Sequence, residues 1–409
     1  MSMEWKKCRL ESISESIQTG PFGSQLHQSD YSEMGTPVIM PKDMVNGTLV
    51  ESSIARISYD HVQRLKRHQV KAGDIIYSRR GDVGRCVLIT KGQEDWICGT
   101  GCLKVSLKKN EVIPSFIIYI LQRKDSVGWV ENHAVGATMP NLNTGILSKL
   151  PLLLPSLPIQ QKIASILSAY DSLIENNTKR IKLLEQMAEN LYKEWFVRFR
   201  FPGHENVEMK NGLPKGWKRT KLTKEYKTSS GGTPSRSVPE YYENGNIPWI
   251  KTGELQDCIL TETEECITEE AVKHSSAKLF PKGTLLMAMY GVNIGKLAIS
   301  DIEATCNQAC CVIVPKRIES KYYLFYYMKS IRDYLLSISF GAAQQNLSQE
   351  LIKGLKIVIP ADDILIAFEQ KIKTIYAQMR NFQKQNQLLI KQRDLLLPRL
   401  MSGKLEVKP

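Results

Sequence analysis

The hexapeptide Trp5-Lys6-Lys7-Cys8-Arg9-Leu10 returns as Trp217-Lys218-Arg219-Thr220-Lys221-Leu222, and the landmarks behind the first copy follow the second in the same order, about 205 to 212 residues later. Tyr31, Gly35, Pro37 and Lys42 answer to Tyr241, Gly245, Pro248 and Lys251; Gly73 and Gly81 answer to Gly283 and Gly291; Cys98 and Cys102 answer to Cys306 and Cys310. Further on, Gly136-Ala137 and Asn141-Leu142 match Gly341-Ala342 and Asn346-Leu347, and Leu150 and Pro155 match Leu355 and Pro360. Solenoid repeats run to a few tens of residues, so a period of this length means a duplicated domain.

The character of each copy changes near its end. The first 150 or so residues read as short strands and helices cut by Gly, Pro and Asn. Behind Pro155 and Pro158, the segment Ile159 to Phe201 holds no Gly or Pro and sets Ile166, Tyr170, Leu173, Asn177, Ile181, Leu184, Ala188 and Leu191 at three- and four-residue steps. Its counterpart behind Pro360 sets Phe368, Ile372, Ile375, Met379, Phe382, Asn386, Leu389, Arg393, Leu396 and Leu400 at similar steps, broken only by Pro398. That spacing is the signature of paired helices. Asn177 and Asn386 stand 209 residues apart, near the middle of each helix. A pseudo-two-fold relating the copies would oppose them and fix the register of an antiparallel pair; otherwise each faces solvent at a stutter. Some forty helical residues span roughly 60 Å, long enough to serve as a rigid spacer. The stretch Phe201 to Gly216, rich in Pro, Gly and Asn, is the clearest linker. The expected architecture is therefore mixed α+β, with two similar globular units separated by two long antiparallel coiled-coil helices in a cyclic internal repeat. Its boundaries fall at 1–155, 156–201, 202–216, 217–360 and 361–403.

The chain has 409 residues, 42% of them apolar, and a net charge of +13 with pI near 9.2. Up to residue 200 there are 26 basic against 20 acidic residues, and 29 against 22 after it. An even basic excess favours a polyanionic partner, although solvated lysines give the same balance. Met1 to Arg9 carries charges and Trp5 where a secretory signal would be apolar, and the longest apolar stretch, Leu150 to Pro158, is short and broken by prolines. A cytoplasmic protein without membrane segments is expected. Nine scattered cysteines include the pairs Cys98/Cys102 and Cys306/Cys310, whose spacing places both sulfurs on one face of a strand with no His nearby. They read as small buried hydrophobes, and no metal is expected.

The run Ser229-Ser230-Gly231-Gly232-Thr233-Pro234-Ser235-Arg236, followed by Tyr241 to Leu255 with Pro248-Trp249-Ile250-Lys251-Thr252-Gly253, resembles the opening of target recognition domains in specificity subunits of Type I restriction-modification enzymes. Leu213-Pro214-Lys215-Gly216-Trp217 resembles that family's entry into a recognition domain, and Gly341 to Ser348 with Leu355 to Pro360 its exit into the conserved helix. The first copy departs from the pattern, with Thr19-Gly20-Pro21-Phe22-Gly23-Ser24 for the Gly-Gly-Thr-Pro run and Val38-Ile39-Met40 where Trp249-Ile250 would stand. The resemblance implies a non-catalytic DNA-binding subunit. Each globular unit would read half of a split double-stranded site, and the helix pair would set the spacer and dock modification subunits, two of them expected, with restriction subunits joining through the complex. It implies no cofactor in this chain, while partner subunits would use S-adenosylmethionine, ATP and Mg. A coiled-coil interaction protein that binds nucleic acid without sequence preference is the alternative.

The residues agree with a recognition role by what they lack. No methyltransferase Asn-Pro-Pro-Tyr run, Gly-x-Gly-x-x-Gly or Walker loop is present, and Glu369-Gln370-Lys371 falls in the second helix, where it reads as surface charge. No residue is assigned a catalytic role. Reading DNA requires donors and acceptors on loops that reach base edges, with cations on phosphates. Three paired segments qualify. Ser78 to Arg85 matches Met289 to Lys296, a glycine turn in which Arg79 and Arg80 suit guanine, Asn293 suits adenine, Arg85 and Lys296 suit phosphate, and Tyr290 stands beside them. A plain hairpin with solvated tips is the other reading of this pair. Pro41 to Met44 matches Ile250 to Gly253, with Lys42 and Lys251 read as matching ends of an apolar strand. Ala137 to Asn141 matches Ala342 to Asn346, where the recurring Asn suits a shared turn and Gln344 and Gln345 differ from Thr138 and Met139 as two half-site readers should. The acidic stretch Glu254 to Glu270, with no Lys or Arg, is expected to be a solvated edge turned away from DNA. The residues expected in the helix-pair core are Ile166, Tyr170, Leu173, Asn177, Leu184, Ile375, Met379, Phe382, Asn386 and Leu389.

Overall fold

The computed structural model describes residues 5–45, 47–136, 140–316, 320–339, 346–405 and 407. By contacts the chain forms two compact units: Met1–Asn177 with Lys384–Pro409, and Thr178–Gln383. Each unit therefore combines one globular copy with one segment from each long helix.

In the first unit, the strand Lys6–Arg9 pairs antiparallel with Pro151–Leu154, which ties the start of the globular copy to its end. Between them lie two four-stranded sheets. One runs in the order Ser14–Thr19, Cys102–Leu107, Ile75–Ser78, Cys86–Leu88, all antiparallel. The other runs Ile97–Cys98, Thr36–Ile39, Ala55–Ile57, Tyr31–Ser32, with its first pair parallel. The helix Pro114–Leu121 presents Phe116, Ile117 and Leu121 to the core with no exposure. Burial of each such side chain contributes about 1.5–3 kcal/mol.

The second unit repeats the plan. Lys218–Lys221 pairs with Lys356–Ile359. The main sheet runs Tyr226–Ser230, Cys310–Pro315, Leu285–Ala288, Leu297–Ser300, Cys258–Leu260, its last strand added in parallel. Ile247–Ile250 lies between Cys266–Ile267 and Thr305–Cys306. The two copies close on equivalent backbone bonds, Leu10 N–H to Leu150 O at 3.0 Å and Leu222 N–H to Leu355 O at 2.8 Å.

The long helices run Leu157–Tyr192 and Asp362–Met401. Within the first unit, Asp171 pairs with Arg393 at 2.7 Å, and Asn177 Nδ2 donates to Asn386 Oδ1 at 3.0 Å and to Gln385 Oε1 at 3.3 Å. The partner number falls as the first helix's number rises, so these segments are antiparallel. The two asparagines meet rather than facing solvent. Within the second unit the sense is the same: Arg180 lies over Phe382, and Tyr192 packs on Phe368. The first helix ends in a π-helical turn, Lys193–Val197, whose extra residue per turn buries both Trp195 and Phe196. Phe196 meets Tyr323 and Phe368 edge-on, with ring centres 4.8 and 4.7 Å away.

Four sequence expectations are corrected. Leu173 is 51% exposed, and Ile174 is the half-buried residue instead. Between Tyr170 and Asn177 the inward stripe steps by four and then three, since a helix of 3.6 residues per turn admits either order. Glu369 is not surface charge: it is buried and accepts the N–H groups of Tyr322 and Tyr323 at 3.2 and 2.7 Å, capping the helix Lys321–Ser330. The paired cysteines do not share a strand. Cys98 ends Ile97–Cys98 and Cys102 opens Cys102–Leu107, with a turn at Gly99 to Gly101 between them. All four paired sulfurs are nonetheless buried, and burial pushes Cys98 up to about 12. The segment expected as a linker is docked on the second unit, with Phe201 buried against Trp217 at 5.3 Å between ring centres.

Candidate nucleic-acid interface

In each unit the three paired segments converge, and equivalent backbone bonds join two of them. The first is a hairpin in both copies. In the first unit its arms are Ile75–Ser78 and Cys86–Leu88, in the second Leu285–Ala288 and Leu297–Ser300. Gly81 and Gly291 take φ of +72° and +85° at the tips, a conformation that L side chains resist. Arg79 N–H donates to Gly101 O and Leu142 N–H to Arg79 O; Met289 N–H donates to Ala309 O and Leu347 N–H to Met289 O. Thus the segment at Asn141-Leu142, or Asn346-Leu347, is stitched to the hairpin in both.

The third element joins by side chains. In the first unit Arg85 Nη1 donates to Met44 O at 3.3 Å. In the second, Asn293 Nδ2 donates to Thr252 O at 2.9 Å and Gly253 O at 3.3 Å. A hairpin tip, a 3-10 turn and a returning loop therefore form one loop cluster at the end of each sheet.

The candidate side chains divide according to what holds them. Among the described residues, Lys42 and Arg80 are exposed and no carboxylate lies within ion-pairing distance of either. Arg79 is half-buried and gives its Nε to Asn141 Oδ1 at 3.2 Å. Arg85 is paired with Asp82. In the second unit Tyr290 is 36% exposed at the position of Arg80, and Val292 beside it is fully exposed. Asn293 is committed to the loop backbone, and Lys296 pairs with Asp257 at 3.4 Å. Gln344 and Gln345, like Thr138 and Met139, lie outside the described residues.

Register also corrects one correspondence. Ile39 pairs with Cys98, and Ile250 with Cys306. The turn Pro41–Asp43 follows Met40, and Thr252–Glu254 follows Lys251. Lys42 is therefore equivalent to Gly253, and Lys251 to Met40. The match of one lysine with the other slipped by two residues because both strands begin one residue before their shared prolines, whereas Lys42 stands five residues after Pro37 and Lys251 three after Pro248.

The acidic stretch is an exposed edge in part, with Glu264, Glu269 and Glu270 largely in solvent, but several of its acids hold cations. Glu264 and Glu265 pair with Lys251 at 3.1 and 3.6 Å, and Arg236 is held by Glu265. Asp257 takes Arg332 and Lys296 together; burial opposes its ionisation, but the Arg332 guanidinium and its hydrogen bonds outweigh this and lower its pKa. The reading of single residues missed Arg236, which stacks over Tyr242 at 4.1 Å and Trp249 at 5.2 Å. Its signal was the Ser229–Arg236 run itself, which carried a family likeness but no individual role.

Two matches to one family model, described as the Type I restriction modification DNA specificity domain, cover residues 2–186 and 214–396. The chain is similar to the Type I restriction enzyme MjaIX specificity subunit of Methanocaldococcus jannaschii, 28% identical over 91% of this chain and 87% of that one. It is also similar to the HindI specificity subunit of Haemophilus influenzae, 24% identical over 98% of this chain and all of that one. In fold it resembles the crystal structure of a Type I restriction-modification S subunit from M. genitalium, with a TM-score of 0.64 at 17% identity over 97% of this chain and 96% of that one. Among the described residues no helix is long and apolar enough to cross a membrane.

Proposed function

The chain belongs to the Type I restriction modification DNA specificity domain family, carrying that domain twice, and on that footing we propose that each copy reads one half of a split double-stranded DNA site. It acts as the sequence-recognition subunit of a Type I restriction-modification system, and the chemistry belongs to its partners. Modification subunits using S-adenosylmethionine dock on the long helices, and restriction subunits using ATP and Mg join through that complex.

One observation carries this reading. The same backbone bonds join the hairpin to the returning loop in both units, and the turn is fastened beside them in each, while the side chains presented there differ, Arg80 in one against Tyr290 and Val292 in the other. A shared frame with unlike tips is what two readers of unlike half-sites require, since base edges are told apart by donors, acceptors and methyl groups.

Methylome sequencing of the host, with and without this gene in the presence of active modification subunits, tests the proposal. A split methylated motif that disappears on deletion supports it. An unchanged methylome rejects it in favour of binding without sequence preference. Removing two turns from both long helices is expected to alter the preferred spacer between the half-sites, and an unchanged spacer would remove the helices' measuring role.

A further inference from the structure

The cations of the second unit's loop cluster are engaged by its own carboxylates, and a half-buried cap builds the arrangement. Glu254 Oε1 accepts Lys251 N–H at 2.8 Å, while its Oε2 accepts Glu264 N–H at 3.2 Å. One carboxylate thus pins two chain segments side by side and brings the Glu264 side chain to the Lys251 ammonium at 3.1 Å. The hydrogen bond from Lys251 to Glu264 holds the lysine above its usual pKa.

The first unit has the cap without the pair. Asp43 accepts Met40 N–H at 2.8 Å, but its shorter side chain reaches no second segment, and its other oxygen is buried without a partner. From the strand registers, Trp249 faces Glu265 and Val38 faces Ala55, so Ile54 and Ala55 occupy the places of Glu264 and Glu265. Met40 occupies the place of Lys251. The lysine and both acids are therefore additions peculiar to the second unit, set beside the turn that anchors the hairpin tip through Asn293.

We propose that Glu264, positioned by Glu254, is a specificity-determining residue that competes with DNA phosphate for Lys251, so that the second unit gains this phosphate contact only on its proper half-site. The inference rests on the chain being a reader of split DNA sites. Non-specific affinity for DNA is almost wholly electrostatic and scales with the number of phosphates neutralised. A cation held by an intramolecular acid adds nothing to that term until a correctly seated duplex replaces the acid. On the cognate site the base contacts hold a phosphate against Lys251 long enough for the exchange; elsewhere the internal pair persists. In the first unit Lys42, without a carboxylate partner, attracts DNA of any sequence, whereas Lys251 of the second contributes only on the proper half-site.

The test uses the full-length chain, duplexes carrying the methylated motif or a scrambled second half-site, and affinities measured across salt concentrations. Glu264 is largely exposed, so Glu264→Gln leaves the fold intact, and it removes the nearer acid of Lys251, since Glu265 stands at 3.6 Å and is bonded by Arg236. The expected result is tighter binding of Glu264→Gln to the scrambled duplex, with a salt slope steeper by about 0.9, the value of one more phosphate contact. The ratio of cognate to scrambled affinity should fall severalfold. Lys251→Met, which installs the first unit's residue, should abolish the effect of Glu264→Gln in the double variant. An unchanged salt slope in Glu264→Gln, or a full effect persisting in the Lys251→Met background, overturns the proposal while leaving the reading of the chain in place. Equal affinity of the wild-type chain for both duplexes overturns both.

Discussion

At the scale of single residues, exposure and partners separate side chains that composition treats alike. Lys42 and Lys251 carry the same charge, but only Lys251 has a carboxylate partner. Lys42→Ala is expected to weaken DNA binding uniformly across sequences and to lower the salt slope by about 0.9, as measured by salt titration. Arg80→Ala should instead relax discrimination at one base position of the first half-site, at about 1–3 kcal/mol, if its guanidinium reads guanine. His68 offers a prediction independent of DNA. It is buried, its Nδ1 has no partner, and burial followed by the nearby charges of Arg67 and Lys104 lowers its pKa to about 4. The unfolded chain takes up this proton near pH 6.5, so between pH 6.5 and 4 it binds more protons than the folded one and stability falls on acidification. The loss attributable to His68 is at most about 3 kcal/mol and is complete near pH 4. Thermal melts of His68→Gln should show a correspondingly flatter pH dependence across that window.

At the scale of elements, helical periodicity located both long helices and paired their central asparagines, but not every inward position. Leu173→Ala should change stability by less than about 0.5 kcal/mol, because half of that side chain is already in water. Leu167→Ala, at a position with no exposure, should cost about 2–5 kcal/mol. Denaturant titration of the two variants distinguishes the stripe seen in the structure from the one read off the spacing. Asn177 and Asn386 were opposed by symmetry alone, and their bond at 3.0 Å makes them a polar layer that disfavours shifted registers. The hairpins were legible from a glycine between apolar runs. The use of Asn293 to fasten the tip was not, since an amide that reads adenine and one that binds a carbonyl look the same in sequence.

At the scale of the whole molecule, each unit draws on both halves of the chain for its helical part, yet each globular copy is closed on itself by its own terminal ribbon. Recognition should therefore be modular. Replacing residues 206–360 with the corresponding segment of another family member is expected to change one half-site of the methylated motif and leave the other, as read by methylome sequencing. Loss of both half-sites would show that the two copies do not read independently.

The sequence by itself determined the duplication, the α+β class, the two helices and the family, because these rest on local signals: periodicity, turn residues and ordered landmarks that survive divergence. Only the tertiary structure decided which candidate readers are available. Lys251 and Lys296 meet acids 13 and 39 residues away along the chain, Glu369 caps a helix some 46 residues before it, and Lys42 aligns with a glycine rather than a lysine. A charge's effect depends on what lies within a few ångströms of it, and folding sets that neighbourhood through contacts that no local pattern encodes.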